Sequence, residues 1–215
     1  MTVEILTAWL LSIMLATVPP GHSRRPEEAR ETASAGRARY VAIARAMAEV
    51  SLDPEETPLF SGKRGREKTA LFLLTISRHE SHWKRHVDLG LGPHARGGGG
   101  RYHCMMQILV KGERTPEGFT KQDLVTSRHA CFRRGLHILQ RAKRFCDDAG
   151  PRAFLNHYAS GTCHRGARAA GKRWKTFDAL LREHGWPKPL AELHEALHEA
   201  QGDAEGEQGR RTDKP

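Results

Sequence analysis

Thr69-Ala70-Leu71-Phe72-Leu73-Leu74-Thr75-Ile76-Ser77-Arg78-His79-Glu80-Ser81-His82-Trp83 is the stretch that decides how the rest of the chain is read. Its first nine residues are almost unbroken in apolar character and contain neither Gly nor Pro, which predicts a helix buried on most sides. The run then turns polar, so one acidic side chain, Glu80, emerges where a core helix meets polar surroundings. A carboxyl placed at such a boundary can act as a general acid near neutral pH. The plain alternative is a solvated ion-pair partner, because the flanking residues are basic.

Upstream, Tyr40, Val41, Ile43, Ala44, Met47 and Val50 recur at helical spacing, and Asp53-Pro54 ends the pattern. Farther back, Ile5 to Val18 is an apolar run closed by Pro19-Pro20-Gly21. It is short for a spanning helix, and it lacks the positive start and the Ala-x-Ala site of a secretory signal. Leu6, Trp9, Leu10, Ile13 and Met14 nevertheless lie on a helical repeat. A signal, an anchor making membrane contact through 5–18, and a helix packed on the domain therefore all stay open.

Downstream, Asp88 to Arg101 is rich in glycine (Gly90, Gly92 and Gly97 to Gly100) and shows no periodicity, as a loop would. No strand precedes it, so it does not qualify as a dinucleotide or P-loop site. Cys104-Met105-Met106-Gln107-Ile108-Leu109-Val110 returns to apolar residues with one amide inside. Ser127 to Phe145 predicts an amphipathic helix whose apolar face is Cys131, Leu136, Ile138, Leu139 and Phe145. Pro151 opens a short helix that stops at Gly161, and Trp174 to His184 predicts the last packed helix, ended by Gly185-Trp186-Pro187. The expected fold class is mainly α, with few or no strands. The expected organisation is an N-terminal segment and linker over 1–36, one domain over 37–187, and a polar tail over 188–215.

The net charge is +10, with basic residues spread along the chain, which suits a polyanionic partner. Aromatics are not interleaved with the basic residues and no nucleic-acid-binding signature is present, so nucleic acid is not the expected partner. Four cysteines, Cys104, Cys131, Cys146 and Cys163, permit two disulfides in any of three pairings outside a reducing compartment. Cys131 and Cys146 share one predicted helix and are too far apart to bond to each other. Free, buried cysteines are the alternative.

Three blocks occur in a familiar order. His79-Glu80-Ser81-His82-Trp83 resembles the Glu-Ser-x-aromatic block of the soluble lytic transglycosylase and goose-type lysozyme superfamily. Cys104-Met105-Met106-Gln107-Ile108 is similar to its Gly-Leu-Met-Gln-Ile block, and Ala153-Phe154-Leu155-Asn156-His157-Tyr158-Ala159-Ser160-Gly161 to its Ala-Leu-x-x-Tyr-Asn-x-Gly block. Gly135 stands where the family has a glycine in the first turns of a helix. The chain departs from the pattern in the glycine-rich insertion between Glu80 and Gln107, in Cys104-Met105, and in Ala159-Ser160. The resemblance implies a lysozyme-like helical domain that cleaves peptidoglycan glycan strands without a cofactor or metal, as a monomer in the cell envelope. It implies Glu80 as the catalytic acid and base, with Ser81, Met106, Gln107 and Tyr158 binding substrate. A hydrolase would add a second carboxylate, for which Asp88 and Asp123 are the candidates.

Two rival patterns are weaker. His194-Glu195-Ala196-Leu197-His198 satisfies the His-Glu-x-x-His zinc pattern, but a simple amphipathic repeat of Leu, Ala, Glu and His produces the same spacing. His79, His82 and His86 have ligand-like spacing, and solvated surface histidines are the simpler expectation. A non-catalytic glycan- or nucleic-acid-binding module is the alternative to an enzyme.

Overall fold

A computed structural model of the chain describes residues 1–20, 31–92 and 95–188. The described residues are mainly helical, as expected: α1 (Val3–Thr17), α2 (Ala33–Leu52), α3 (Gly65–Ser81), the short α4 (Arg85–Asp88) and α5 (Gly97–Gly100), α6 (Lys121–Thr126), α7 (Arg128–Phe145), α8 (Phe154–Ser160) and α9 (Ala167–His184). Strands β1 (Tyr102–His103) and β2 (Ile108–Leu109) form one small antiparallel hairpin.

The centre of the molecule is α3. Ala70 to Ile76 have no exposed surface, so this helix is enclosed on all sides and the other helices pack around it. α2 and α9 lie against it, and Phe72 sits in an aromatic cluster with Phe60, Phe154, Trp174 and Phe177, ring centroids 5.0–5.7 Å from its own. Aromatic side chains bury large areas, and their tilted and edge-on contacts add to that burial.

α1 belongs to the same core. Leu6, Leu10, Ile13 and Met14 are fully buried, and Trp9 stacks on Trp186 at 6.5 Å. This revises the division that set 1–36 outside the domain: the apolar side chains offered to a membrane are covered by protein. No helix among the described residues is long and apolar enough to cross a bilayer. α2 begins at Ala33, capped by Thr32, whose hydroxyl accepts from the Ala35 N–H at 3.2 Å.

Two disulfides tie the second half together, Cys104–Cys131 and Cys146–Cys163. The first joins the β1–β2 turn to α7. The second joins the end of α7 to the loop after α8. Pro151 does not begin α8; it lies in the turn before it, and the helix stops as expected at Gly161, which is left-handed at φ 76°.

Candidate active site

The end of α3 aims Glu80. His82 and Trp83, directly after the helix, are both left-handed, with φ of 52° and 51°. That region is unfavourable for residues with a Cβ, so something must hold the turn. Trp83 does so: it is fully buried, its Nε1 donates to Ser77 Oγ at 2.9 Å, and its ring meets Tyr40 edge-on at 5.9 Å. Its carbonyl accepts from Arg39 at 2.6 Å. The helix therefore stops at one place, with Glu80 on its outward side.

Gln107 comes from the tight β1–β2 turn and is itself left-handed, φ 47°. Its amide faces the protein on both sides. Oε1 accepts from the Gly97 N–H and Nε2 donates to the Cys104 carbonyl, each at 3.0 Å. A Cβ on Gly97 would lie against Gln107 Oε1, so any other residue there would push that amide aside. The glycine-rich insertion is thus closed onto Gln107.

Tyr158, on α8, packs against the core and donates to the Met106 carbonyl at 2.9 Å. Burial, and after it the nearby Glu80 carboxylate, push its phenol well above the usual range, so it stays a neutral donor. Arg173, on α9, donates from Nη2 to Glu80 Oε1 at 2.5 Å. Beside this pair, His79 Nε2 lies 2.9 Å from Thr176 Oγ1. Burial first, and then the Arg173 charge, hold its imidazole down at about 4.

Glu80, Gln107, Tyr158 and Arg173 line one groove of about 890 Å³. Glu80 and Arg173 lie on one side, and Gly97, Tyr102 and Gln107 on another. α7 contributes Arg134, Ile138, Arg141 and Phe145, and α8 contributes His157 and Tyr158. Among the described residues that line it Glu80 is the sole carboxylate, against Lys111, Arg134, Arg141 and Arg173. The described lining thus sets one carboxylate, itself paired with Arg173, among several cationic side chains.

Other expected residues are placed elsewhere. Ser81 is buried and its hydroxyl is used locally, donating to the Ser77 carbonyl at 2.8 Å and accepting from the Trp83 N–H at 3.2 Å. The Met106 side chain is fully buried against α7, where a Cβ on Gly135 would meet its Cε at 2.6 Å. Only its carbonyl reaches the site, through Tyr158. Neither candidate second carboxylate lines the groove. Asp88 is buried in a two-pronged pair with Arg128, at 2.9 and 2.7 Å, with Arg39 at 3.8 Å. Asp123 closes a capping box with Thr120.

Of the three histidines His82 is exposed, as a solvated surface group would be, whereas His79 is half-buried and His86 is buried. No cluster of His, Cys, Asp or Glu among the described residues can hold a metal ion. His194 to His198 lies outside the described residues, as does most of the tail.

Sequence reasoning missed Arg173 and the groove-facing role of Phe145. Arg173 sits in a helix start with several basic residues, and no spacing distinguishes it from its neighbours. No protein family, curated protein or solved structure gives a match to this chain.

Proposed function

We propose that the protein is a lytic transglycosylase of peptidoglycan, cutting the β-1,4 bond between N-acetylmuramic acid and N-acetylglucosamine with Glu80 as acid and then base. One observation carries the reading: three sequence blocks far apart in the chain meet at one groove whose lining holds, among the described residues, a single carboxylate, Glu80. In this reaction one carboxyl suffices. Glu80 protonates the bridging oxygen as the C1–O bond breaks, and the substrate's own N-acetyl oxygen stabilises C1. Glu80, now a base, takes the proton of the muramyl 6-hydroxyl, whose oxygen bonds to C1. The products are a free 4-hydroxyl and a 1,6-anhydro end, with no water consumed. A water-using enzyme with two carboxylates needs a second acid at the groove, and Asp88 and Asp123 are engaged elsewhere.

Tyr158 and Gln107 support the site through its backbone, one on the Met106 carbonyl and the other on Gly97 and Cys104. Arg173 holds the Glu80 carboxyl in the resting groove. Arg173 engages Oε1, which leaves Oε2 to carry the proton to the bridging oxygen while the carboxyl stays in place. The substrate places the protein in the cell envelope, and two disulfides suit an oxidising compartment. The positive groove favours anionic wall polymers, an attraction that fades with salt.

The test is mass spectrometry of murein digested by the purified protein. The expected products carry 1,6-anhydro ends and vanish in Glu80→Gln with its circular dichroism unchanged. Reducing ends would instead make the enzyme a muramidase. Murein binding without any product would make it a glycan-binding module.

A further inference from the structure

α7 has two working faces. Cys131, Phe132, Leu136, Leu139 and Ala142 are buried in the core, while Arg134, Ile138, Arg141 and Phe145 line the groove. The spacing of the second set, four, three and four residues, puts it on one stripe along the helix. That stripe rises about 16 Å, long enough for several sugars of an extended strand.

Its far end is unusual. Phe145 is 70% exposed, although it ends an apolar pattern that predicts burial. An exposed large apolar group at the edge of a concave site marks an interaction surface when other groups complete it. Here His157 completes it: the two rings lie 5.0 Å apart at 53°. One turn back on the same stripe is Arg141. Arg134 is paired with Glu117 at 2.6 Å and Arg173 with Glu80. Arg141 is exposed and has no ion pair among the described residues. An apolar ring face beside an unneutralised guanidinium matches a sugar whose ring is apolar on one side and which carries a carboxylate.

Resting on the transglycosylase reading, we infer that Phe145 and His157 form a stacking subsite for an N-acetylated hexosamine, and that Arg141 pairs with a carboxylate on its 3-O substituent. The groove thereby prefers acid-bearing strands to neutral ones of the same length. The carboxylate has two sources in murein, the lactyl group itself or a stem peptide attached to it.

The experiment measures binding in the Glu80→Gln protein, alone and combined with Phe145→Ala, Phe145→Trp or Arg141→Gln. Each is titrated with a neutral N-acetylglucosamine hexamer, a peptide-free murein strand and a peptide-bearing strand. Phe145→Ala should weaken all three by about tenfold, the worth of one good stacking contact, and Phe145→Trp should restore them. Arg141→Gln should weaken only the acid-bearing strands, and this loss should shrink at high salt. Whichever strand loses more names the source of the carboxylate. The inference is overturned if Phe145→Ala binds within twofold of its parent, or if Arg141→Gln weakens the neutral hexamer equally. Cleavage is scored separately: a Glu80→Gln protein that still cuts murein sinks the catalytic reading while the binding pattern stands. A parent that binds none of the three probes overturns both.

Discussion

A proton donor works only while its carboxyl is held within reach of the bond, and that hold is set by individual residues. Trp83 fixes where α3 stops, and Arg173 fixes the carboxyl itself. Replacing Arg173 by Gln should therefore lower kcat about ten- to a hundredfold, since small misplacements of a catalytic group are costly. KM should change little, because Arg173 is spent on Glu80 rather than on substrate; steady-state kinetics on soluble murein fragments checks the split. Glu80 and Gln107 stand out in the sequence because one is an acid just past the end of a buried apolar run and the other an amide inside an apolar run. Arg173 does not, because a cation among cations leaves no local signal until the fold brings it to its partner. His79 reads from sequence as a solvated surface group, and the fold half-buries it. Its imidazole titrates at about 4 in the folded chain, against an ordinary value of 6.5. Between those values the unfolded chain binds the extra proton, so stability rises with pH across the window and is lost as pH falls through it. Burial pushes His82 and His103 in the same direction. Tm should drop as pH is taken from about 6.5 to about 4, and His79→Gln should make that slope shallower by calorimetry.

At the scale of elements, the hydrophobic repeats were a sound guide to where helices lie and a poor guide to what each face meets. α3, α2, α7 and α9 were all expected, but α2 and α9 begin before the apolar pattern does, α9 at Ala167 rather than Trp174, because a cap sets the boundary: Thr32 for α2 and the left-handed Gly166 for α9. α1 could not be settled from sequence, because a short apolar helix has the same composition whether it inserts in lipid or in a protein core. Packing decides it. Leu10 has no exposed surface and lies in the same cluster as the α3 residues. Leu10→Ala should cost about 2–5 kcal/mol, the range for a core leucine truncated to a cavity. An unchanged urea midpoint would mean that α1 is an appendage rather than part of the fold. Phe145 shows the opposite failure. It continues the apolar spacing of α7, yet the helix has outrun the core by that turn, and the residue faces the groove.

Across the whole molecule, the groove is a place where segments with no covalent reason to meet are brought together, and the disulfides sit where that assembly needs them. Cys104–Cys131 fastens the turn that carries Gln107 onto α7, and Cys146–Cys163 fastens the loop following Tyr158 onto the end of the same helix. α7 is thus clamped to both walls of the site. Spacing alone could exclude only the Cys131–Cys146 pairing, since the remaining choice depends on how the hairpin and α8 dock, which is a property of the tertiary fold. The bridges span 27 and 17 residues, and loops of that size constrain the unfolded chain by about 3 kcal/mol each. That is a large share of the roughly 5–15 kcal/mol that separates folded from unfolded states. Reduction should therefore lower Tm and abolish cleavage, and the order of the two losses is informative. In single Cys-to-Ser pairs, removing Cys146 and Cys163 should cost activity at temperatures where circular dichroism still reports a folded protein, because α3 and its aromatic cluster do not depend on that bridge while the Phe145 and Tyr158 side of the groove does. Equal loss of activity and helicity at every temperature would show that the groove wall and the core melt as one unit, and that the bridge serves stability alone.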